Sequence, residues 1–300
     1  MRPPRVRVRV RRPRMRVHRR LSDFSVNRMV PNVLTLLAVC AGMTAIRFAV
    51  NGKFEAACYA IIVAGIFDGL DGRIARLLRS TSRFGAELDS LSDFISFGVA
   101  PAVVLYLWTM SALQIIGWAI VLIFAVCCAL RLARFNTQLA AEPPPWAAGF
   151  FTGAPAPAGA GLVLLPMFIS FEWGDWIARS PYVNALWISG VALLMISRVP
   201  TVSLKLIRIP NHLVMPTLLG IGVFAGLFTS APWPTLTFVG AVYVASIPLT
   251  VRAYYYRRRA AEARKAETAE TAGIPVPPAS VQPAPAIPVE GHQPANEWRH

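Results

Sequence analysis

The sequence predicts an all-α bundle that crosses a membrane about eight times, with both termini on the cytoplasmic side. Three observations predict it. Of 300 residues, 55% are hydrophobic and the mean hydropathy is +0.50, which is membrane-protein rather than soluble-globule composition. The apolar residues fall into repeated blocks near the roughly 20 residues that a helix needs to cross a bilayer. Basic residues collect on alternate sides of those blocks, which fixes one orientation.

The expected spans are residues 31–50, 56–78, 84–108, 113–135, 154–171, 184–199, 212–228 and 233–251. The fifth and sixth are short for a bilayer. None has the small-residue cleavage site of a signal peptide behind it. With the N terminus inside, the cytoplasmic segments are 1–30, 73–83, 131–146, 198–211 and the tail from Arg252. The outer segments are 51–55, 109–112, 172–183 and 229–232, and their only basic residues are Lys53 and Arg179. An odd number of spans would break this pattern.

Three regions follow: an Arg-rich arm at 1–28, a membrane domain at 29–259, and an Ala/Pro-rich tail at 260–300 that is expected to be disordered. The arm holds eleven arginines and dominates the net charge of +15. On an integral protein such an arm suits anionic lipid headgroups, at about 1 kcal/mol per basic residue, and no nucleic acid partner is expected. A start at Met15 or Met29 would remove most of it. Residues 21–28 (LSDFSVNR) read as a short interfacial helix. Cys40, Cys58, Cys127 and Cys128 lie inside spans without C-x2-C spacing, so they read as packing residues. The four histidines, His18, His212, His292 and His300, are remote in sequence from the acidic stretch described next.

That stretch, DGLDGRIARLLRSTSRFGAELDSLSD at residues 68–93, holds four of the six aspartates of the chain. On helices, Asp68 and Asp71 share a face, and so do Asp89 and Asp93. Four carboxylates converging at a bilayer edge repel one another unless a cation joins them, and intramembrane acids are costly and functional. Hard oxygen donors suit Mg2+ or Mn2+. The expected product is a site for two metal ions with the Arg76 guanidinium beside it, and the chemistry is phosphoryl transfer. The second and third spans should lie adjacent and antiparallel across the turn at 79–83. Gly72 leaves room for a phosphate or ribose. Gly85 serves either close helix packing or ligand contact. Arg73, Arg79 and Arg83 read as topology determinants.

The order D-x2-D-G-x2-A-R, eight residues, G-x3-D-x3-D resembles the signature of the CDP-alcohol phosphotransferase family. Its fixed positions are Asp68, Asp71, Gly72, Ala75, Arg76, Gly85, Asp89 and Asp93. The resemblance implies that an alcohol attacks a cytidine diphosphate-linked donor and releases CMP. It implies that Asp68, Asp71 and Asp89 hold the metals, and that Asp93 completes the second metal site and accepts the hydroxyl proton. It implies donor contacts from Gly72, Arg76 and Ser82, and from Asn32 and Thr35 in the PNVLT run, whose alternative reading is a helix cap. A homodimer in the inner membrane, with its site facing the cytoplasm, is implied as well.

Residues 92–102 (SDFISFGVAPA), 131–136 (RLARFN) and 152–160 (TGAPAPAGA) resemble the phosphatidylserine synthase branch of that family. The implied partners are CDP-diacylglycerol and L-serine, with Arg131, Arg134 and Asn136 around the acceptor. Topology alone also accounts for the two arginines. Other acceptors, such as glycerol 3-phosphate, an inositol phosphate or choline, would use the same chemistry. A cation transporter is the rival from another class, although transporters hold ions near the bilayer midplane. The resemblance covers residues 25–200, so the last two spans and both tails read as additions to the family core.

Overall fold

A computed structural model of the chain describes residues 26–78, 82–138, 150–175, 177–197, 199–202 and 214–271. The arm, most of the predicted interfacial helix and residues 272–300 lie outside the described residues. Eight helical rods stand where eight spans are expected. They are α1 (Val26–Val50), α2 (Phe54–Leu77), a rod made of α3 (Arg83–Asp93) and α4 (Ala100–Trp108), α5 (Gln114–Gln138), α6 (Ala156–Trp173), α7 (Pro181–Ile196), α8 (Val214–Ser230) and α9 (Pro232–Thr271). Five of them are long and apolar enough to cross a membrane; α7 and α8 are apolar but shorter. The chain is an integral membrane protein.

Local chemistry explains the joints. At the end of α1, Gly52 has φ +71°, the left-handed conformation that glycine adopts without strain. Its N–H bonds the Ala49 carbonyl at 3.0 Å and the Lys53 N–H bonds the Phe48 carbonyl at 2.9 Å, a Schellman closure that turns the chain straight into α2. Ser82 caps α3, its Oγ accepting the Gly85 N–H at 3.0 Å. Between α3 and α4, Phe94–Val99 forms a π turn, and the Ala100 N–H reaches back to the Ile95 carbonyl. Pro101 supplies the reason: it has no N–H for the Phe97 carbonyl and its ring would collide there, so the wider turn relieves the helix without breaking it.

α6 is the centre of the bundle. Its apolar residues go all the way round, and Leu162, Val163, Leu164, Leu165, Met167 and Phe168 are all buried. Residues of α2, α4, α5 and α7 complete one apolar core with it. Shortness made α6 look doubtful in the sequence, but a helix enclosed by protein has no lipid thickness to match. By contrast α8 lies against α9 and buries none of its residues. At the end of the bundle that holds the α1–α2 turn, Trp233 packs against Tyr59 and Phe171, with ring centroids 4.8 Å away in both pairs.

Two features depart from expectation. A short antiparallel pair, β1 (Phe150–Thr152) with β2 (Pro200–Val202), brackets α6 and α7, and the Gly153 N–H adds a bond to the Val199 carbonyl at 2.8 Å. The tail also starts later than residue 260. Helix α9 runs on to Thr271 through RRRAAEARKAETAE, where Ala, Arg, Lys and Glu are strong helix formers. At 1.5 Å per residue its 40 residues span about 60 Å, twice the hydrocarbon thickness.

Candidate active site

α1 lies along α2 and also against α3, and this three-helix contact brings the acidic residues together. Ligand atoms of Asp68 and Asp71 from α2 and Asp89 from α3 all lie within 4.8 Å of one another. Asp71 is buried, and one of its oxygens accepts the Thr35 hydroxyl of α1 at 2.6 Å. Asp93 stands beside Asp68, with Arg131 of α5 close enough to interact with it electrostatically. Its Oδ1 is buried without a hydrogen-bond partner, and so is Nε of Arg131.

A cavity of about 350 Å³ opens next to the carboxylates. Asn32, Thr35, Gly72, Arg76 and Ser82 all line it, together with Asp71 and Asp89. Arg76 is anchored by its Nε, which donates to the Gly72 carbonyl at 3.0 Å. A Cβ on Gly85 would come within 3.1 Å of Ser82 Oγ and 3.2 Å of Asn32 Oδ1, so glycine keeps the wall open between α3 and α1. Nothing lies within 4 Å of the Cβ position at Gly72, which leaves its backbone accessible. The cavity also meets the capped start of α3, where free N–H groups favour a phosphate.

The residues fit a divalent cation. Three carboxylates at this separation, with a fourth holding an unpartnered oxygen, form a hard-oxygen set. The Arg179–Asp175 ion pair lies at the other end of the bundle and does not neutralise this cluster. Bare like charges about 4 Å apart repel by about 4 kcal/mol at an effective dielectric near 20.

The expected acceptor residues divide. Arg131 faces Asp93. Arg134 instead donates to the Ile196 carbonyl at 2.9 Å, closing the C-terminal end of α7, and Asn136 Nδ2 donates to Ser90 Oγ at 2.9 Å. None of the three lines the cavity. Sequence reasoning missed Ser92 and Ser96, whose hydroxyls reach α1. The available signal was their spacing, since positions 89, 92, 93 and 96 lie on one helical face.

Helices that cross a membrane and bring a D-x2-D-G-x2-A-R and G-x3-D-x3-D pattern around one cavity define an enzyme class. A CDP-alcohol phosphatidyltransferase model matches residues 28–204, more than half of the chain, and the protein belongs to that family. A second model, CDP-alcohol phosphatidyltransferase 2, matches residues 212–248. The seventh and eighth spans thus lie beyond the first match, as the sequence suggested, and the second model covers most of them. The chain is 41% identical over 226 residues to the CDP-diacylglycerol--serine O-phosphatidyltransferase of Mycobacterium leprae, covering 74% of each chain. It is 38% identical over 225 residues to that of Mycobacterium tuberculosis, 75% of this chain and 78% of the relative. It is 34% identical over 180 residues to that of Helicobacter pylori, 60% and 74% respectively. Membership of an enzyme family sets the transporter reading aside.

Proposed function

We propose that this chain transfers the phosphatidyl group of CDP-diacylglycerol to L-serine, forming phosphatidylserine and CMP. The observation that carries the reading is the cavity, where five residues suited to a nucleotide diphosphate meet two of the four aspartates. The names of the relatives supply the serine acceptor. The donor's acyl chains stay in the bilayer while its nucleotide enters the cavity from the helix ends.

Asp68, Asp71, Asp89 and Asp93 would hold two divalent ions, Mg2+ or Mn2+, whose charge would offset the diphosphate and the developing charge on CMP. Arg76 forks to the diphosphate oxygens, and Gly72, Asn32, Thr35 and Ser82 bound the nucleotide. Arg131, beside Asp93, receives the serine carboxylate. Arg134 and Asn136 hold the end of α5 against α7 and α3, and so keep Arg131 in line. Asp93 takes the proton of the serine hydroxyl as its oxygen bonds to the phosphorus that carries diacylglycerol. The bond from that phosphorus to CMP breaks, and CMP leaves with the electron pair. We further propose a homodimer in the cytoplasmic membrane with this site on the cytoplasmic face. Glycerol 3-phosphate, inositol phosphate and choline are the competing acceptors.

Purified protein in mixed micelles with CDP-diacylglycerol and a panel of labelled alcohols tests the acceptor. Serine is expected to give CMP and phosphatidylserine, and a clear preference for another alcohol would overturn the assignment. For orientation, Arg83→Cys should react with an impermeant reagent from the cytoplasmic side and Ala178→Cys from the other, each on a background without native cysteines. Sedimentation of the solubilised protein tests the dimer.

A further inference from the structure

The proposed site needs four carboxylates from two different rods to meet at a fixed separation, and α2 and α3 are separate helices. Something must set how far α3 lies along the bundle relative to α2. The polar contacts of α1 do this. Ser92 Oγ donates to the Thr35 carbonyl at 3.1 Å and Ser96 Oγ donates to the Ala38 carbonyl at 3.1 Å, both in buried surroundings. The same Thr35 donates its hydroxyl to Asp71 of α2. One residue of α1 therefore touches both acidic rods, through its carbonyl on one side and its hydroxyl on the other.

Two further observations bear on the spacing. Gly42 lies one turn beyond Ala38, and a Cβ there would come within 3.0 Å of both Ser96 Cα and Ser96 Oγ. Any side chain at that point would push the α3 rod away from α1. Ser96 also lies inside the π turn, and such turns rotate the residues that follow relative to those before. The register of Asp89 and Asp93 is thus fixed immediately beyond them, by Ser96 against Gly42, and between them, by Ser92.

We propose that Ser92 and Ser96, seated on the α1 backbone at Thr35, Ala38 and Gly42, are positioning residues that set the separation of the Asp89/Asp93 pair from the Asp68/Asp71 pair. The inference rests on the divalent-metal reading of the site. Neither serine touches the cavity; each acts through the carboxylate beside it on the helix.

The test is Mn2+ binding to the full-length protein in detergent, read from the electron paramagnetic resonance of free Mn2+, with turnover measured alongside. The doubly substituted Ser92→Ala/Ser96→Ala protein should bind Mn2+ about 10- to 100-fold more weakly, as residues that orient metal ligands do when removed. Its turnover should recover at saturating Mn2+, with the apparent KM for serine near that of the wild type. Gly42→Ala, which keeps both hydroxyls, should weaken Mn2+ binding in the same way. Unchanged Mn2+ affinity in the double variant would overturn the proposal, and so would a loss of turnover that saturating Mn2+ does not recover. Absence of Mn2+ binding by the wild type would defeat the metal reading itself, and this inference with it.

Discussion

The two ends of the bundle handle acidic residues in opposite ways. At one end, Asp175 sits in the loop between α6 and α7, where the Ser170 hydroxyl donates to it at 2.5 Å and Arg179 pairs with it at 2.8 Å. Those contacts, the serine first, hold its carboxyl below the usual range. Nearby, the Thr109 hydroxyl donates to the Arg179 carbonyl and Asn184 to those of Ala178 and Ser180. The charged groups there pair with each other, although Asn184 Oδ1 is buried without a hydrogen-bond partner. At the opposite end, Asp68, Asp71 and Asp89 converge with Asp93 beside them, and an oxygen of Asp93 is left unpartnered. An acid that is satisfied by its own protein is structural. A cluster left short of positive charge is arranged for something that arrives.

Removing what arrives should have the largest effect. Chelation of divalent ions is expected to abolish CMP release, and added Mg2+ or Mn2+ to restore it. Full turnover in excess chelator would erase the contrast between the two ends.

Asp93→Asn comes next. It keeps size and one ligand oxygen but cannot take a proton, so serine-dependent CMP release should fall by roughly 10²–10⁴, while binding of CDP-diacylglycerol is largely retained. Near wild-type turnover would remove the protein base from the mechanism. Asp68→Asn differs, since it should weaken metal and donor binding together.

Arg131→Ala should raise the apparent KM for serine more than that for the donor, by the equivalent of about 1.5–3 kcal/mol for a lost charge-assisted bond. Arg134→Ala should instead lower the unfolding temperature and affect both substrates alike, because its partner is the Ile196 carbonyl. If Arg134→Ala acts on serine alone, the two arginines have been assigned the wrong way round.

The smallest effect belongs to the cap around Asp175. Asp175→Asn should leave turnover within about twofold, as surface ion pairs contribute little. A depressed carboxyl contributes stability above its unfolded value, near 4, and loses it as pH falls through the folded value. The variant should therefore lack a small acid-side fall in unfolding temperature that the wild type has below about pH 4. A large loss of activity would mean that the loop between α6 and α7 communicates with the site.

The sequence by itself determined the helical class, the positions of the eight rods and the acidic cluster. Hydropathy marks spans because lipid forces every backbone group into helix, and fixed spacings on a helix translate directly into shared faces. It also determined the residues around the cavity, since Asp71 and Gly72 are adjacent and Arg76 follows one turn later on the same rod. Tertiary structure decided what depends on contact between rods. That α6 is enclosed and α8 exposed follows from neighbours, not from hydropathy, which is high in both. The helical extension of α9 lay where composition pointed to a disordered tail. The separate fates of Arg131, Arg134 and Asn136 could not be read from a motif, because each is settled by a partner far away in the chain: Asp93, Ile196 and Ser90. The seating of Ser92 and Ser96 on α1 is of the same kind. A serine hydroxyl in an apolar helix looks alike in every sequence, and only the carbonyl opposite it decides whether it aligns a site.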